Sequence, residues 1–154
     1  MGVTKAYTTR VGEGPFPSEL SGEAEERLRE AGNEYGATTG RPRRCGWFDG
    51  VVARYACASN GIQGVFLTNL DVLSGLGPIQ VVTAYKVGGK ETRDFPAQVG
   101  IGGNIEIVTK EFPGWEEDIT GVRSFTSLPE TCQSYVRFLE AEMGARIERV
   151  SVGP

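Results

Sequence analysis

The densest chemistry in this chain lies in Ala37-Thr38-Thr39-Gly40-Arg41-Pro42-Arg43-Arg44, where three guanidiniums follow two hydroxyls and a glycine before the apolar Cys45-Gly46-Trp47-Phe48 and Asp49. Anions are the ligands such a loop suits. A guanidinium presents a rigid fork of donors that matches carboxylate or phosphate, while hydroxyls and a glycine let a small anion come close to the backbone. Pro42 fixes φ and so lowers the entropy cost of ordering the loop around a ligand. Taken alone, such a run more often reads as a solvated basic loop.

A second candidate is Thr68-Asn69-Leu70-Asp71, which follows the apolar Val65-Phe66-Leu67. A carboxylate at the end of a buried strand can accept hydrogen bonds from both N1–H and the exocyclic amine of guanine. Adenine has no such donor pair, and a site built on that pair rejects it strongly. Without further context, the same Asp is a turn or helix cap. The chain has no histidine, so any chemistry rests on carboxylates, Arg, Lys or Cys, or on groups elsewhere. No Gly-rich phosphate loop ending in Lys-Ser/Thr occurs.

Composition bounds the partners. With 16 Lys plus Arg against 20 Asp plus Glu, the net charge is -4 and the pI about 5.0, so nucleic acid is not an expected partner and the Arg cluster is a local site in an acidic protein. The 154 residues suit one globular unit with a real core. No signal peptide, lipidation motif or apolar run of spanning length is found, and the expectation is a soluble, cytoplasmic protein with no membrane partner. Cys45, Cys57 and Cys132 lack metal-ligand spacing and read as buried reduced thiols.

The elements that must position these residues alternate between strand and helix. A strand is predicted over residues 5–11, then a Gly- and Pro-rich turn. A helix from about Ser18 places Leu20, Ala24, Leu28 and Ala31 on one face and ends at Gly32. A second helix carries Trp47, Val51, Val52, Tyr55 and Ala56 up to Asn60-Gly61. Residues 64–70 read as a buried, parallel strand, at whose C-terminal end ligands gather.

Residues 79–87 and 91–95 form strands joined by a Gly88-Gly89 hairpin turn. A loop at 100–104 and a strand at 105–112 with imperfect alternation follow. Ser127-Leu128-Pro129-Glu130 reads as a capping box for a last helix with Cys132, Tyr135, Val136, Leu139 and Met143 on its core face, stopped by Gly144 before a strand over residues 146–152. The fold class is α/β, a layered and mostly parallel sheet with flanking helices and an inserted β-hairpin.

The Arg loop, together with Tyr7-Thr8-Thr9-Arg10-Val11-Gly12-Glu13-Gly14-Pro15-Phe16-Pro17 before it and Ser151-Val152-Gly153-Pro154 at the end, resembles the adenylosuccinate synthase family. Members join IMP to L-aspartate at the expense of GTP. The likeness covers almost the whole chain and implies that residues 1–154 are roughly the C-terminal third of such an enzyme, part of a larger P-loop-like nucleotide-binding fold.

By position, Ala37, Thr38, Thr39, Gly40, Arg41, Pro42 and Arg43 would bind aspartate, with Arg41 also on IMP and Arg43 bridging toward GTP. Asn69, Leu70 and Asp71 with Ser151, Val152 and Gly153 would form the guanine pocket. The family usually has Lys where Asn69 stands; its aliphatic stem would pack on the purine and its ammonium would add charge.

The resemblance also implies a two-step reaction. An upstream Asp deprotonates N1 of IMP as O6 attacks the GTP γ-phosphate, with magnesium and an upstream His at that transition state, and the aspartate amine then displaces phosphate at C6. No catalytic residue and no metal ligand is expected in this chain; magnesium would be held outside it, and the complete enzyme would be a homodimer. Two other classes remain open, a non-catalytic guanine-nucleotide-binding fragment and a related ligase that uses another purine nucleotide.

Overall fold

The computed structural model of the chain describes residues 1–96 and 105–153. The loop predicted at 100–104 and the terminal Pro154 lie outside these residues.

The first strand divides in two, β1 (Gly2–Lys5) and β2 (Thr8–Arg10). The break falls at Ala6 and Tyr7, consecutive residues that are both buried, which a period-2 strand does not permit on one face. Their polar atoms are satisfied across the fold: Ala6 N–H donates to Thr68 at 2.8 Å, and the Tyr135 hydroxyl donates to the Ala6 carbonyl at 2.6 Å. The chain thereby leaves one sheet and enters another, where β2 pairs antiparallel with β3 (Arg44–Gly46).

Helix α1 (Glu23–Ala31) starts later than its apolar spacing predicts. Residues 18–20 run extended beside β3 instead. Leu20 N–H donates to Cys45, Trp47 N–H donates to Ser18, and Gly22 in a left-handed conformation (φ 64) then turns the chain into the helix. Leu28 is the fully buried residue of α1; Ala24 and Ala31 are exposed. Trp47 lies outside the second helix, between β3 and β4 (Phe48–Asp49). The start of α2 (Gly50–Asn60) is fixed by Asp49, whose carboxylate accepts from the N–H groups of Val51 and Val52, each at 3.0 Å. Gly61, left-handed at φ 60, ends it.

The α/β reading holds. β5 (Gly64–Thr68) lies in the middle of a three-stranded, wholly parallel sheet, order β1-β5-β9, with β9 spanning Arg146–Val150. In a second sheet β4 runs parallel to β6 (Ile79–Val87), and β7 (Lys90–Thr92) and β8 (Ile105–Phe112) pair antiparallel with β6. The Gly88-Gly89 turn joins β6 and β7 as expected, both glycines having positive φ. The imperfect alternation of β8 has a cause on its partner. A register shift between Val82 and Ala84 leaves Thr83 without a ladder partner, and its hydroxyl donates to the Val108 carbonyl at 3.2 Å.

Helix α3 (Glu130–Met143) buries the face read from its spacing: Cys132, Tyr135, Val136, Leu139 and Met143. Its capping box does not form. Ser127 ends a single 3₁₀ turn (Phe125–Ser127) and makes no side-chain cap, while Pro129 takes the cap position itself. Val65 and Leu67 of β5, Cys57 of α2 and Leu139 and Met143 of α3 share one core. All three cysteines are free and buried, and burial pushes the Cys45 thiol up to about 11 and that of Cys132 up to about 12. Among the described residues, no helix is long and apolar enough to cross a membrane.

Candidate anion and nucleotide site

Residues 34–43 form a narrow hairpin whose ladder is set by its glycines. Arg43 N–H donates to Glu34 at 2.9 Å and Gly36 N–H to Arg41 at 2.8 Å, flanking the bridge between Tyr35 and Pro42. Pro42 sits at a position of that bridge where no N–H is called for, so its missing donor costs nothing. The tip closes by Gly40 N–H donating to the Gly36 carbonyl at 2.8 Å, with Gly40 left-handed at φ 62 and the Thr39 hydroxyl accepting from Arg41 N–H. Ala37, Thr38, Thr39, Gly40, Arg41 and Pro42 are all exposed.

The three guanidiniums do not act together. Arg44 grips Glu19 through two hydrogen bonds of 2.5 Å and donates to the carbonyls of Gly12 and Gly14, so it fastens the residue 12–19 turn to β3. Arg43 donates to Glu34 at 2.8 Å. Among the described residues, Arg41 has no ion-pair partner, which leaves it as the cation of the tip.

Glu34 is a residue that spacing did not single out. It is 1% exposed, and its carboxylate accepts from Lys5 Nζ at 2.5 Å and the Tyr7 hydroxyl at 2.5 Å as well as from Arg43. Burial pushes its pKa up, but the hydrogen bonds from Lys5, Tyr7 and Arg43 outweigh it and hold the carboxyl below the ordinary value. The Tyr7 phenol is pushed far above its ordinary value by burial and by its bond to that carboxylate. One backbone signal was visible in the sequence: Asn33, a residue type tolerant of left-handed φ, stands beside Glu34 and adopts φ 48.

The other two segments meet at the C-terminal ends of the parallel strands. Leu70 N–H donates to the Ser151 carbonyl at 3.3 Å, and Ser151 N–H donates to Leu67 at 2.8 Å. The Ser151 hydroxyl donates to the Gly153 carbonyl at 3.0 Å, which stiffens the turn that includes Val152. Asn69 is left-handed at φ 59, a conformation Asn tolerates. Leu70 is fully buried and its N–H is engaged by Ser151. Asp71 opens a single 3₁₀ turn (Asp71–Leu73) and is half-buried; burial raises its pKa, and neighbouring Asp118 raises it further. An open cavity of about 470 Å³, lined by Phe66, Thr120, Arg123, Arg149, Val152 and Gly153 among others, adjoins the 151–153 turn, and residues 69–71 do not line it.

The hairpin is tied to the same end of the sheet. Lys5 ends β1 and Tyr7 lies just beyond it, both bound to Glu34, and the Asp71 charge helps to raise the Tyr7 phenol. Cations and the Asp71 carboxylate thus gather where ligands bind in open α/β sheets. Among the described residues, no group of three or more His, Cys, Asp or Glu is arranged to hold a metal ion.

The family model described as adenylosuccinate synthetase matches residues 1–154. The adenylosuccinate synthetase of Trichlorobacter lovleyi is 55% identical over 154 residues, covering 100% of this chain and 36% of that protein. That of Carboxydothermus hydrogenoformans is 54% identical over 153 residues, covering 99% of the chain and 36% of the relative. The fully ligated adenylosuccinate synthetase of Plasmodium falciparum superposes with a TM-score of 0.91 at 39% identity, over 99% of this chain and 37% of that one. The chain therefore spans about a third of the length of the relatives it matches.

Proposed function

The chain belongs to the adenylosuccinate synthetase family, and on that premise we propose that it is the C-terminal third of a GTP-dependent ligase that joins L-aspartate to IMP in AMP biosynthesis. Its share of the work is binding and orientation. The hairpin tip, Ala37, Thr38, Thr39, Gly40 and Arg41 with Pro42, receives the aspartate carboxylates, and Arg41 also reaches IMP. Arg43 extends toward GTP. Asn69, Leu70 and Asp71 with Ser151, Val152 and Gly153 form the guanine pocket, in which the Asp71 carboxylate accepts from N1–H and the exocyclic amine.

The observation that carries this reading is the Leu70–Ser151 hydrogen bond, which joins two segments 81 positions apart (151 − 70) into one wall at the ends of parallel strands. A phosphoryl-transfer enzyme works mainly by positioning and by electrostatic stabilisation, and an exposed Arg41, without an ion-pair partner among the described residues, beside a pre-formed backbone turn would supply both. Among the described residues no group of three or more His, Cys, Asp or Glu could hold a metal ion. Magnesium, the homodimer and a cytoplasmic location belong to the complete enzyme in this proposal.

Co-expression of the chain with the other two thirds of a relative tests it. Adenylosuccinate formed from IMP, aspartate and GTP only when both pieces are present supports the assignment. A soluble complex of the two pieces that forms no product overturns it.

A further inference from the structure

The cavity beside the 151–153 turn holds about 470 Å³, a size that suits a small organic molecule. Its lining carries Arg123 and Arg149, and among the described residues no Asp or Glu lines it. The chain as a whole has 20 Asp plus Glu and a net charge of -4, so a cavity whose charged lining residues are all cations is a local exception.

A register shift in the sheet aims Arg149 at this cavity. β9 pairs with β5 through Ile147 opposite Val65 and then Arg149 opposite Phe66, which makes Glu148 an extra residue. Regular alternation would return Arg149 to the face of Ile147, which packs on the core. The extra residue instead lets Ile147 and Val150 both pack there and sets Arg149 beside Phe66 in the cavity lining. Glu148 does not neutralise it. The Glu148 side chain lies over Gly64, and among the described residues Arg149 has no ion-pair partner.

Arg123 comes from the loop between β8 and α3. Its Nη1 donates to the carbonyls of Thr120 and Val122 at 2.9 and 3.1 Å, which holds the guanidinium and leaves Nε and Nη2 without a partner among the described residues. Phe66, Val122, Phe125 and Val152 supply apolar surface beside the two cations. A third guanidinium, that of Arg137, stands 5.6 Å from the centroid of the Phe125 ring.

We propose that this cavity is a binding site for a small organic anion with a flat apolar body, its carboxylate or phosphate group held by Arg149 and Arg123 and its body by Phe66 and Phe125. A guanidinium fork matches either anionic group. None of residues 37–43 or 69–71 lines the cavity, and the inference does not rest on the reading of those residues.

The test is calorimetric titration of phenyl phosphate and of benzoate into the folded chain and into the co-expressed assembly, with ¹⁵N amide NMR to locate the site. Saturable binding of at least one probe to both is expected, with shifts at Phe66, Val122 and Val152; the tighter probe identifies the anionic group. Arg149→Gln and Arg123→Gln are each expected to weaken binding at least about tenfold. Arg146→Gln removes the same charge from β9 outside the cavity and is expected to change binding by less than about twofold. Inorganic phosphate and acetate, which lack the ring, are expected to bind at least about tenfold more weakly than their aromatic counterparts. No saturable binding of either probe, shifts confined to residues 37–43, equal weakening by Arg146→Gln, or ring-free anions that bind as tightly overturns the proposal. Binding by the chain that is lost in the assembly means that the rest of the polypeptide fills the cavity, and overturns it too; if the pieces do not assemble, the chain alone decides. The probes carry no guanine, so this site and the guanine pocket fail separately.

Discussion

The backbone N–H of Leu70 and the carbonyl of Ser151 lie 3.3 Å apart, and this bond joins the turn after β5 to the turn after β9 through main chain on both sides. In the proposed guanine pocket main chain reads shape and base identity falls to a side chain, for which Asp71, at the start of the 3₁₀ turn, is the carboxylate proposed.

Asp71→Asn replaces one of two acceptor oxygens with a donor that faces the guanine donors. GTP affinity is expected to fall about 100-fold or more, and preference over ATP to shrink with it. Stability should change by no more than about 0.5 kcal/mol, because burial already disfavours the charge of Asp71. Titration of both nucleotides and a urea melt on the same variant check this; intact GTP preference would remove Asp71 from the site.

Arg41 and Arg44 should separate cleanly. Arg41→Leu, at an exposed tip without an ion pair among the described residues, is expected to leave stability within about 0.5 kcal/mol and to raise the aspartate KM of the assembled ligase about 100-fold. Arg44→Leu removes the grip on Glu19 and the bonds to Gly12 and Gly14, and is expected to cost about 1–2 kcal/mol of stability. Thermal melts with aspartate kinetics on both variants are the check, and equal effects on stability would contradict the division.

The folded-state pKa of Glu34 lies below its ordinary 4.5, so its ionised form stabilises the fold. That contribution is complete above about pH 4.5 and disappears as pH falls through the lowered folded value. Glu34→Gln is expected to cost about 2–3 kcal/mol at pH 7, less than a fully buried pair because Lys5 and Arg43 are part-exposed. The difference from wild type should narrow as the pH approaches 2. Urea midpoints measured across that range test the sign, and a gap that does not narrow would contradict it.

Leu139 is fully buried in the core shared by α3 and β5. Leu139→Ala is expected to cost about 2–5 kcal/mol by lost burial and the cavity left behind. A denaturant series reads this directly, and a loss below 1 kcal/mol would mean that the core collapses around the gap.

Much of this architecture was legible in the sequence because local signals and tertiary demands agree there. β6 begins and ends where its apolar run does, and the α3 face follows its helical spacing. The misreadings share a cause in long-range hydrogen bonds. Ala6 and Tyr7 leave the strand to reach Thr68, Tyr135 and Glu34, and residues 18–20 give up helix to pair beside β3. Arg44 looked like a member of the anion loop until Glu19 was found across from it. Glu34 was invisible for the same reason, since Lys5 lies 29 positions away and nothing in their spacing announces contact. The loop at 37–43 and the turn at 69–71 were recognised by likeness to a family; residue type and spacing alone favoured a solvated basic loop and a turn or cap.

Calorimetric titration of GTP into the purified chain, with ATP as control and circular dichroism to establish that the protein is folded, tests the guanine pocket most directly. Saturable binding of GTP, at least about 100-fold tighter than ATP, is the expected result. Equal affinity for the two nucleotides, or no binding by folded chain, would contradict a pocket formed by Asp71 and residues 151–153.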